Sequence, residues 1–482
     1  MVWALLFFRP AWAGAIADPV TDPVVSDLRD DVRNQALDVV LGAGSAPDLG
    51  ATAERTGPLA VGLYLRPRLE IGLGDAVPDN NGGEGEPGLF TPAVAVGLAA
   101  LAGPFELRAT PWLRTGFVPG VAGRLDVRDV WAGVRLPNFT AGFGRQDRWL
   151  GPARHGSLTL TNNAIAPWLG TVAGEGHLPG VLAPLGRLRG EVGLGLLGEP
   201  RGDVQKPGLL LVDVRWLPVP WIEVGATRLA LFGGEGRPPV DVGQLLVPTE
   251  PHVYDDPDLT LPDQDELVAL DLRVCLPLRH WSPTVPIDHL EVYWQYGGED
   301  VISRKIGPIP YPSLAGVANL YGGELDVGPV RVNVEYSKLM DDTFRWYVGH
   351  RVYHDGFTQQ GRTLGNFGGT DSEMLWARVG WRSPAWRTGL WADSVRRVGV
   401  IESRNDKVFV LSTEERRWRV GGDVGFPTPR RAALPSGWLA LGYALEQVSG
   451  EDFAPGIAQF SHRGTVSWSA DIAVPGVNRP AL

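Results

Sequence analysis

The chain reads as all-β: a transmembrane antiparallel β-barrel of about 16–18 strands, with a short N-terminal periplasmic helix ahead of it. Three observations predict this. Long stretches alternate strictly between apolar and polar residues. Gly 63 and Pro 41 make up about a fifth of the 482 residues, a density of helix breakers that excludes a helical bundle. The polar faces of the alternating stretches carry Arg and Glu, and 18 Trp are spread through the chain. Charged faces toward a wet lumen and aromatics at the interface suit a barrel in lipid.

Taken in order, the N-terminus comes first. Val2 to Phe8 is an apolar run, followed by Ala11-Trp12-Ala13, the small residues at −3 and −1 that signal peptidase reads. Cleavage after Ala13 or Ala15 fits, so residues 1–15 are expected to be a signal peptide. Residues 16–50 form the periplasmic helical segment: Asp22 caps it, Pro23 suits its first turn, and Val25, Leu28, Val32, Ala36 and Val39 share one stripe. The Gly42 to Gly50 stretch ends it.

The barrel is expected over 51–475, with 476–482 as a tail. From Leu59 to Leu73, Leu59, Val61, Leu63, Leu65, Leu69 and Ile71 alternate with Ala60, Gly62, Tyr64, Arg66, Arg68 and Glu70. Val268, Leu270, Leu272 and Val274 alternate with Ala269, Asp271, Arg273 and Cys275. Leu290, Val292, Trp294 and Tyr296 do so with His289, Glu291, Tyr293 and Gln295, and Val330, Val332, Val334 and Tyr336 with Arg331, Asn333, Glu335 and Ser337. Near the end, Val466, Trp468, Ala470 and Ile472 alternate with Thr465, Ser467, Ser469 and Asp471. Soluble sandwich strands average about 5–6 residues; a bilayer strand needs about 9–11. The segments between are unequal. Asp75–Gly88, Gly151–Gly180, Phe232–Gln264, Gly297–Leu320 and Asp341–Asp371 read as long polar loops, and Gly322-Gly323 as a tight turn. Long loops conventionally lie outside the cell and short turns in the periplasm.

Composition bounds the function. The net charge of −11 repels phosphate backbones, so nucleic acid is not an expected partner. Cys275 is the only cysteine, which excludes a disulfide framework and a thiolate metal cluster. No later run reaches the ~18 apolar residues of a membrane helix.

Several spaced motifs carry a resemblance. Arg148-Trp149-Leu150-Gly151-Pro152 precedes Ser157-Leu158-Thr159-Leu160-Thr161-Asn162-Asn163-Ala164 and Pro167. Then come Gly233-Gly234-Glu235-Gly236-Arg237-Pro238, Asp271-Leu272-Arg273 and Gln295-Tyr296-Gly297-Gly298-Glu299-Asp300. The longest runs from His350 through Tyr353-His354-Asp355-Gly356-Phe357 to Gly361-Arg362, Leu364-Gly365 and Gly368-Gly369-Thr370-Asp371-Ser372. In this order the motifs resemble the capsule assembly protein Wzi family of Gram-negative bacteria, over about residues 55–475. The resemblance implies an outer-membrane barrel, plugged at its periplasmic end by helices, acting as a lectin that holds capsular polysaccharide at the cell surface.

Sugar binding needs flat apolar faces for C–H surfaces and planar polar groups for hydroxyls. Trp149, Asn162, Asn163, Trp168, Tyr353, His354, Arg362 and Asp371 are such residues, clustered in two loops, and are the expected polysaccharide contacts. The bland alternative is that the Asn-Asn and Gly-Arg pairs only close turns and that Arg362 and Asp371 form a lumen salt bridge. Enzymatic readings are poorer. Glu299 and Asp300 are adjacent, whereas glycosidase carboxylates stand about 5–9.5 Å apart across the scissile bond. His155 and Ser157 lack a nucleophile elbow. His350 and His354 have no third ligand at metal spacing, and the acids from Asp255 to Glu266 lack calcium-loop spacing. No catalytic residue, metal or cofactor is expected. The expected partners are capsular or extracellular polysaccharide and outer-membrane lipid, with the chain a monomer in the cell outer membrane. The rival reading is a porin for oligosaccharides or other small solutes. A soluble sugar-binding sandwich comes third.

Overall fold

The computed structural model describes residues 60–73, 91–114, 124–136, 138–178, 180–198, 201–240, 245, 264–306, 309–340, 345–383, 385–402, 409–429, 437–454 and 456–472. The expected signal peptide, the 16–50 helix, the 476–482 tail, the loop after Leu73 and the acidic run from Asp255 to Asp263 lie outside the described residues; Asp265 and Glu266 at its end belong to a strand.

The strands are β1 (Ala60–Leu73), β2 (Thr91–Ala102), β3 (Phe105–Arg114), β4 (Arg124–Leu136), β5 (Phe139–Arg145), β6 (Trp168–His177), β7 (Arg187–Leu196), β8 (Gly208–Val219), β9 (Ile222–Phe232) and β10 (Gln264–Leu276). There follow β11 (His289–Ile306), β12 (Ile309–Val327), β13 (Val330–Lys338), the small hairpin β14 (Thr358–Gln359) and β15 (Arg362–Thr363), then β16 (Ser372–Arg382), β17 (Arg387–Glu402), β18 (Phe409–Thr428), β19 (Gly437–Ser449) and β20 (Ala458–Ile472). All but the hairpin belong to one 18-stranded sheet. Each strand pairs antiparallel with the next, β13 passes directly to β16, and β20 pairs back onto β1, with Leu69 opposite Val466. The result is a closed up-and-down barrel, which leaves no edge strand exposed. Its strand number is the upper end of the range expected from length.

The alternation sorts as expected. Leu270, Leu272, Val292, Trp294, Val334, Tyr336 and Val466 are exposed on the outside, while Asp271, Arg273, Glu291, Gln295, Arg331, Asn333, Glu335, Thr465 and Ser467 are buried inside. Soluble monomers rarely expose apolar patches beyond a few hundred Å², so an outer wall of this kind belongs in lipid. Aromatics mark its lower rim. Phe105, Phe139, Trp216, Trp381 and Trp386 are exposed beside the short turns.

Buried charge inside the wall is stable only when paired. Arg215 meets Asp213 at 2.7 Å and also Asp271, Arg273 meets Glu291 at 2.7 Å, and Arg331 meets Asp326 at 2.6 Å. Glu223 on β9 links Arg215 to Arg273, and Arg154 bridges Glu291 on β11 and Glu324 on β12, so a single ionic lattice runs from β8 to β13 along one side of the lumen near the short turns.

Three expected connections were misplaced, the last of them in part. Gly297–Leu320 is not a loop; it is the upper part of β11 and β12, in continuous register from Gly297 opposite Ala318 to Ile306 opposite Ile309. Gly322-Gly323 is not a turn either. It lies inside β12, and the turn falls at Gly328-Pro329. The physical reason is a side chain. The inward Tyr293 ring lies across Gly322, where an added Cβ would overlap the ring, so the glycine provides room rather than a bend. Likewise Trp168–His177 of the expected Gly151–Gly180 loop is strand β6.

Gly322→Val is therefore expected to destabilise the barrel by about 1–3 kcal/mol through overpacking. Urea titration of the heat-modifiable folded band measures this; a midpoint equal to wild type would contradict the packing.

Candidate functional site

The connections after β5, β7 and β13 leave the same end of the barrel, and their described parts fold down into its interior. The first is loop A (146–167), the second loop B (197–207) and the third loop C (339–371), which contains the β14–β15 hairpin.

Loop A is held by the wall. Three successive backbone N–H groups converge on the Glu335 carboxylate: Arg154 donates to it, His155 donates at 3.0 Å and Gly156 at 3.0 Å. The Tyr293 hydroxyl donates to the same carboxylate at 2.6 Å. Next along, the Leu158 N–H donates to Gln295 Oε1 at 2.9 Å. The Arg154 guanidinium joins the ionic lattice, donating to Glu291 at 2.8 Å. His155 stacks on Trp376 with centroids 4.5 Å apart and meets the edge of Phe367.

Loop C closes over loop A. The Tyr347 hydroxyl donates to the Leu158 carbonyl at 2.9 Å and accepts the Asn366 N–H at 2.7 Å. Burial raises its phenol above the ordinary value. The Thr161 N–H donates to the Leu364 carbonyl at 2.8 Å. Gly356 has φ +52°, and a Cβ there would overlap the Tyr347 carbonyl, so this turn of the motif requires glycine. Loop B fastens the far side. Arg201 donates to the Gly356 and Thr358 carbonyls at 2.8 and 3.0 Å while gripping Asp203 at 2.8 Å, and the Gly202 N–H donates to Asp355 at 2.6 Å.

The lumen changes character to receive these loops. On β8, Leu209 and Leu211 face inward above Asp213 and Arg215; on β10, Leu267 and Ala269 do so above Asp271 and Arg273. The upper inward residues form one apolar cluster with Leu150, Leu158 and Leu160 of loop A and Trp346, Tyr347, Tyr353, Phe357 and Leu364 of loop C. At ~1.5–3 kcal/mol per large side chain withdrawn from water, this packing is the main stabilisation of the plug.

The expected contact residues divide. Tyr353 is fully buried, its hydroxyl donating to the Gly233 carbonyl at 3.0 Å. Asp371 is buried and held by Arg345 at 2.8 Å; burial pushes its carboxyl up from the ordinary range while Arg345 pulls it back. Asn163 is buried, and its carboxamide donates to the Thr363 carbonyl at 3.1 Å. Arg362 is half-buried and reaches the Asn163 carbonyl at 3.3 Å, so the structure brings the Asn-Asn and Gly-Arg motifs together. The Asn162 carboxamide is buried with no hydrogen-bond partner among the described residues. Trp149 is half-buried, its indole donating to the Ala153 carbonyl at 2.7 Å. His354 is exposed. Trp168 lies apart, on the outer wall, stacked on Phe143 at 5.5 Å. Sequence reasoning assigned no site role to Glu335, Gln295, Tyr347 or Arg201, which position the plug. Glu335 and Gln295 did stand on polar faces; Tyr347 and Arg201 carried no periodic signal.

The family model for capsule assembly protein Wzi matches residues 99–382, more than half of the chain. The chain belongs to the capsule assembly protein Wzi family. Its loop A and loop C motifs lie inside the matched region. Among solved structures, Wzi of Escherichia coli, a carbohydrate-binding outer-membrane β-barrel involved in group 1 capsule assembly, aligns over 98% of this chain and 92% of its own. The identity is 16% and the TM-score 0.60. OprD of Pseudomonas aeruginosa aligns over 87% of this chain and 96% of its own, at 11% identity and TM-score 0.48. No curated protein matches the chain significantly. Like its family, the protein is an outer-membrane barrel.

Glu335→Ala is expected to leave three buried N–H groups without an acceptor and to weaken plug docking by ~3 kcal/mol. Limited proteolysis would then cut loops A and C while the barrel stays heat-modifiable. Loops as resistant as wild type would contradict the assignment.

Proposed function

We propose that this chain is a lectin-like outer-membrane barrel that binds capsular or extracellular polysaccharide and holds it at the cell surface during capsule assembly. The observation that carries the reading is the filled lumen. Loops A, B and C pack into the upper barrel as a core, which suits a rigid platform and opposes solute passage. The porin alternative needs that volume open. The Escherichia coli relative, described as carbohydrate-binding, supports the same direction.

On this reading the plug presents its chemistry outward. His354 is exposed and Arg362 and Trp149 are half-buried, so these three make direct contact with sugar. Asn162 offers an unpartnered donor and acceptor beside the Asn163–Arg362 contact. Asn163, Tyr353 and Asp371 shape the platform from beneath. The protein works without catalysis, metal or cofactor, as a monomer surrounded by outer-membrane lipid, and nucleic acid is no partner. On this reading residues 1–15 are a signal peptide that directs export.

Trp149→Ala combined with Arg362→Ala is expected to weaken glycan binding at least about tenfold, or ~1.4 kcal/mol, and to release capsule from whole cells. Retention equal to wild type at equal expression would refute the contact. In planar bilayers the wild-type protein is expected to show no steady open conductance; a stable open channel would favour the porin.

A further inference from the structure

The outer wall carries a second constellation, on the opposite face of the sheet from the plug. On β13, β16 and β18 the outward residues are apolar or aromatic up to Tyr336, Leu375 and Trp418, all exposed. One outward step further toward the long-loop end they become ionic: Lys338, Glu373 and Arg416, joined by Arg396 on β17 and Glu414 on β18. The register places them side by side, with Lys338 opposite Glu373, Glu373 opposite Arg396, and Arg396 opposite Arg416.

Two like charges directly opposite each other in a sheet are destabilising. Here Glu414 sits between them. Arg396 Nε donates to its Oε1 at 3.0 Å, and Arg416 donates to Oε2 through Nε at 3.0 Å and Nη2 at 2.7 Å. Arg396 also reaches Glu373 at 3.3 Å. Glu414 therefore aligns two guanidinium groups without neutralising both. Lys338, Arg396 and Arg416 against Glu373 and Glu414 leave one excess positive charge, in a chain whose net charge is −11. The Arg416 side chain remains 59% exposed.

A cationic cluster immediately above a lipid-facing apolar band stands where headgroups of the outer leaflet lie. Guanidinium forks match the oxygens of phosphate, and the aromatics below offer faces to acyl chains. We propose that Lys338, Arg396 and Arg416 form a site for the phosphate of an outer-leaflet phosphoglycolipid, with Tyr336, Leu375 and Trp418 against its acyl chains. The site rests on the barrel's place in the membrane and not on polysaccharide binding by the plug.

Native mass spectrometry and thermal unfolding of the detergent-purified protein test it, with bisphosphorylated lipid A as probe. Wild type is expected to retain lipid A and to unfold at higher temperature with it. The triple variant Arg396→Gln, Glu414→Gln, Arg416→Gln, which leaves no carboxylate stranded between the arginines, is expected to bind at least about tenfold more weakly. It should keep its heat-modifiable barrel and its glycan binding. Dephosphorylated lipid A and inorganic phosphate are each expected to give little effect. Equal retention by the variant, an equal shift with dephosphorylated lipid A, or a full shift with inorganic phosphate alone would each overturn the proposal.

Discussion

A loop pushed into the interior of a barrel brings its peptide groups with it, and each amide taken from water needs a partner. In this protein that requirement is met at Glu335, where a single wall carboxylate receives the N–H groups of Arg154, His155 and Gly156 in succession. Gln295 receives the next available N–H, from Leu158. Once loop A is seated, loop C can bond to it through Tyr347 and Leu364, and loop B can bond to loop C through Arg201. The order of dependence runs from wall to plug surface.

The same wall solves two problems at different depths. Near the short turns the inward residues are ions, stabilised because Arg and carboxylate pair within and between strands; Arg154 from the plug bridges Glu291 on β11 and Glu324 on β12. Higher up the inward residues are Leu and Ala, which would be a liability in an open pore and become a core once the loops cover them. A strand such as β10 encodes both conditions within Leu267 to Cys275. From Val268 to Leu276 its outward face stays apolar, as lipid demands.

Much of this architecture was legible in the sequence, since side-chain alternation is a local property of an extended chain. The stretches 268–275, 289–296 and 330–337 all face as their periodicity requires. What failed was local in appearance but nonlocal in cause. Gly322-Gly323 resembles a turn until the Tyr293 ring on the neighbouring strand is placed over it. The polar and glycine-rich composition of Gly297–Leu320 obscured two long strands. The candidate loops were visible through their motifs, but the contact between Asn163 and Arg362 was not, and Asp371 pairs with Arg345 where the sequence suggested Arg362. Their depths were not, because whether Tyr353 is buried or His354 exposed depends on loops packing hundreds of residues apart in the chain. Trp168 shows the same limit: its position beside the motif hid its place on the outward face of β6.

Hydrogen–deuterium exchange of the folded protein in detergent reads the seating of loop A most directly, at the amides of residues 154–156 and 158. The account predicts protection comparable to that of the neighbouring barrel strands, lost throughout loop A when the Glu335 carboxylate is removed. Exchange at those amides at the rate of an unprotected, solvent-exposed amide, in the unaltered protein, would contradict it.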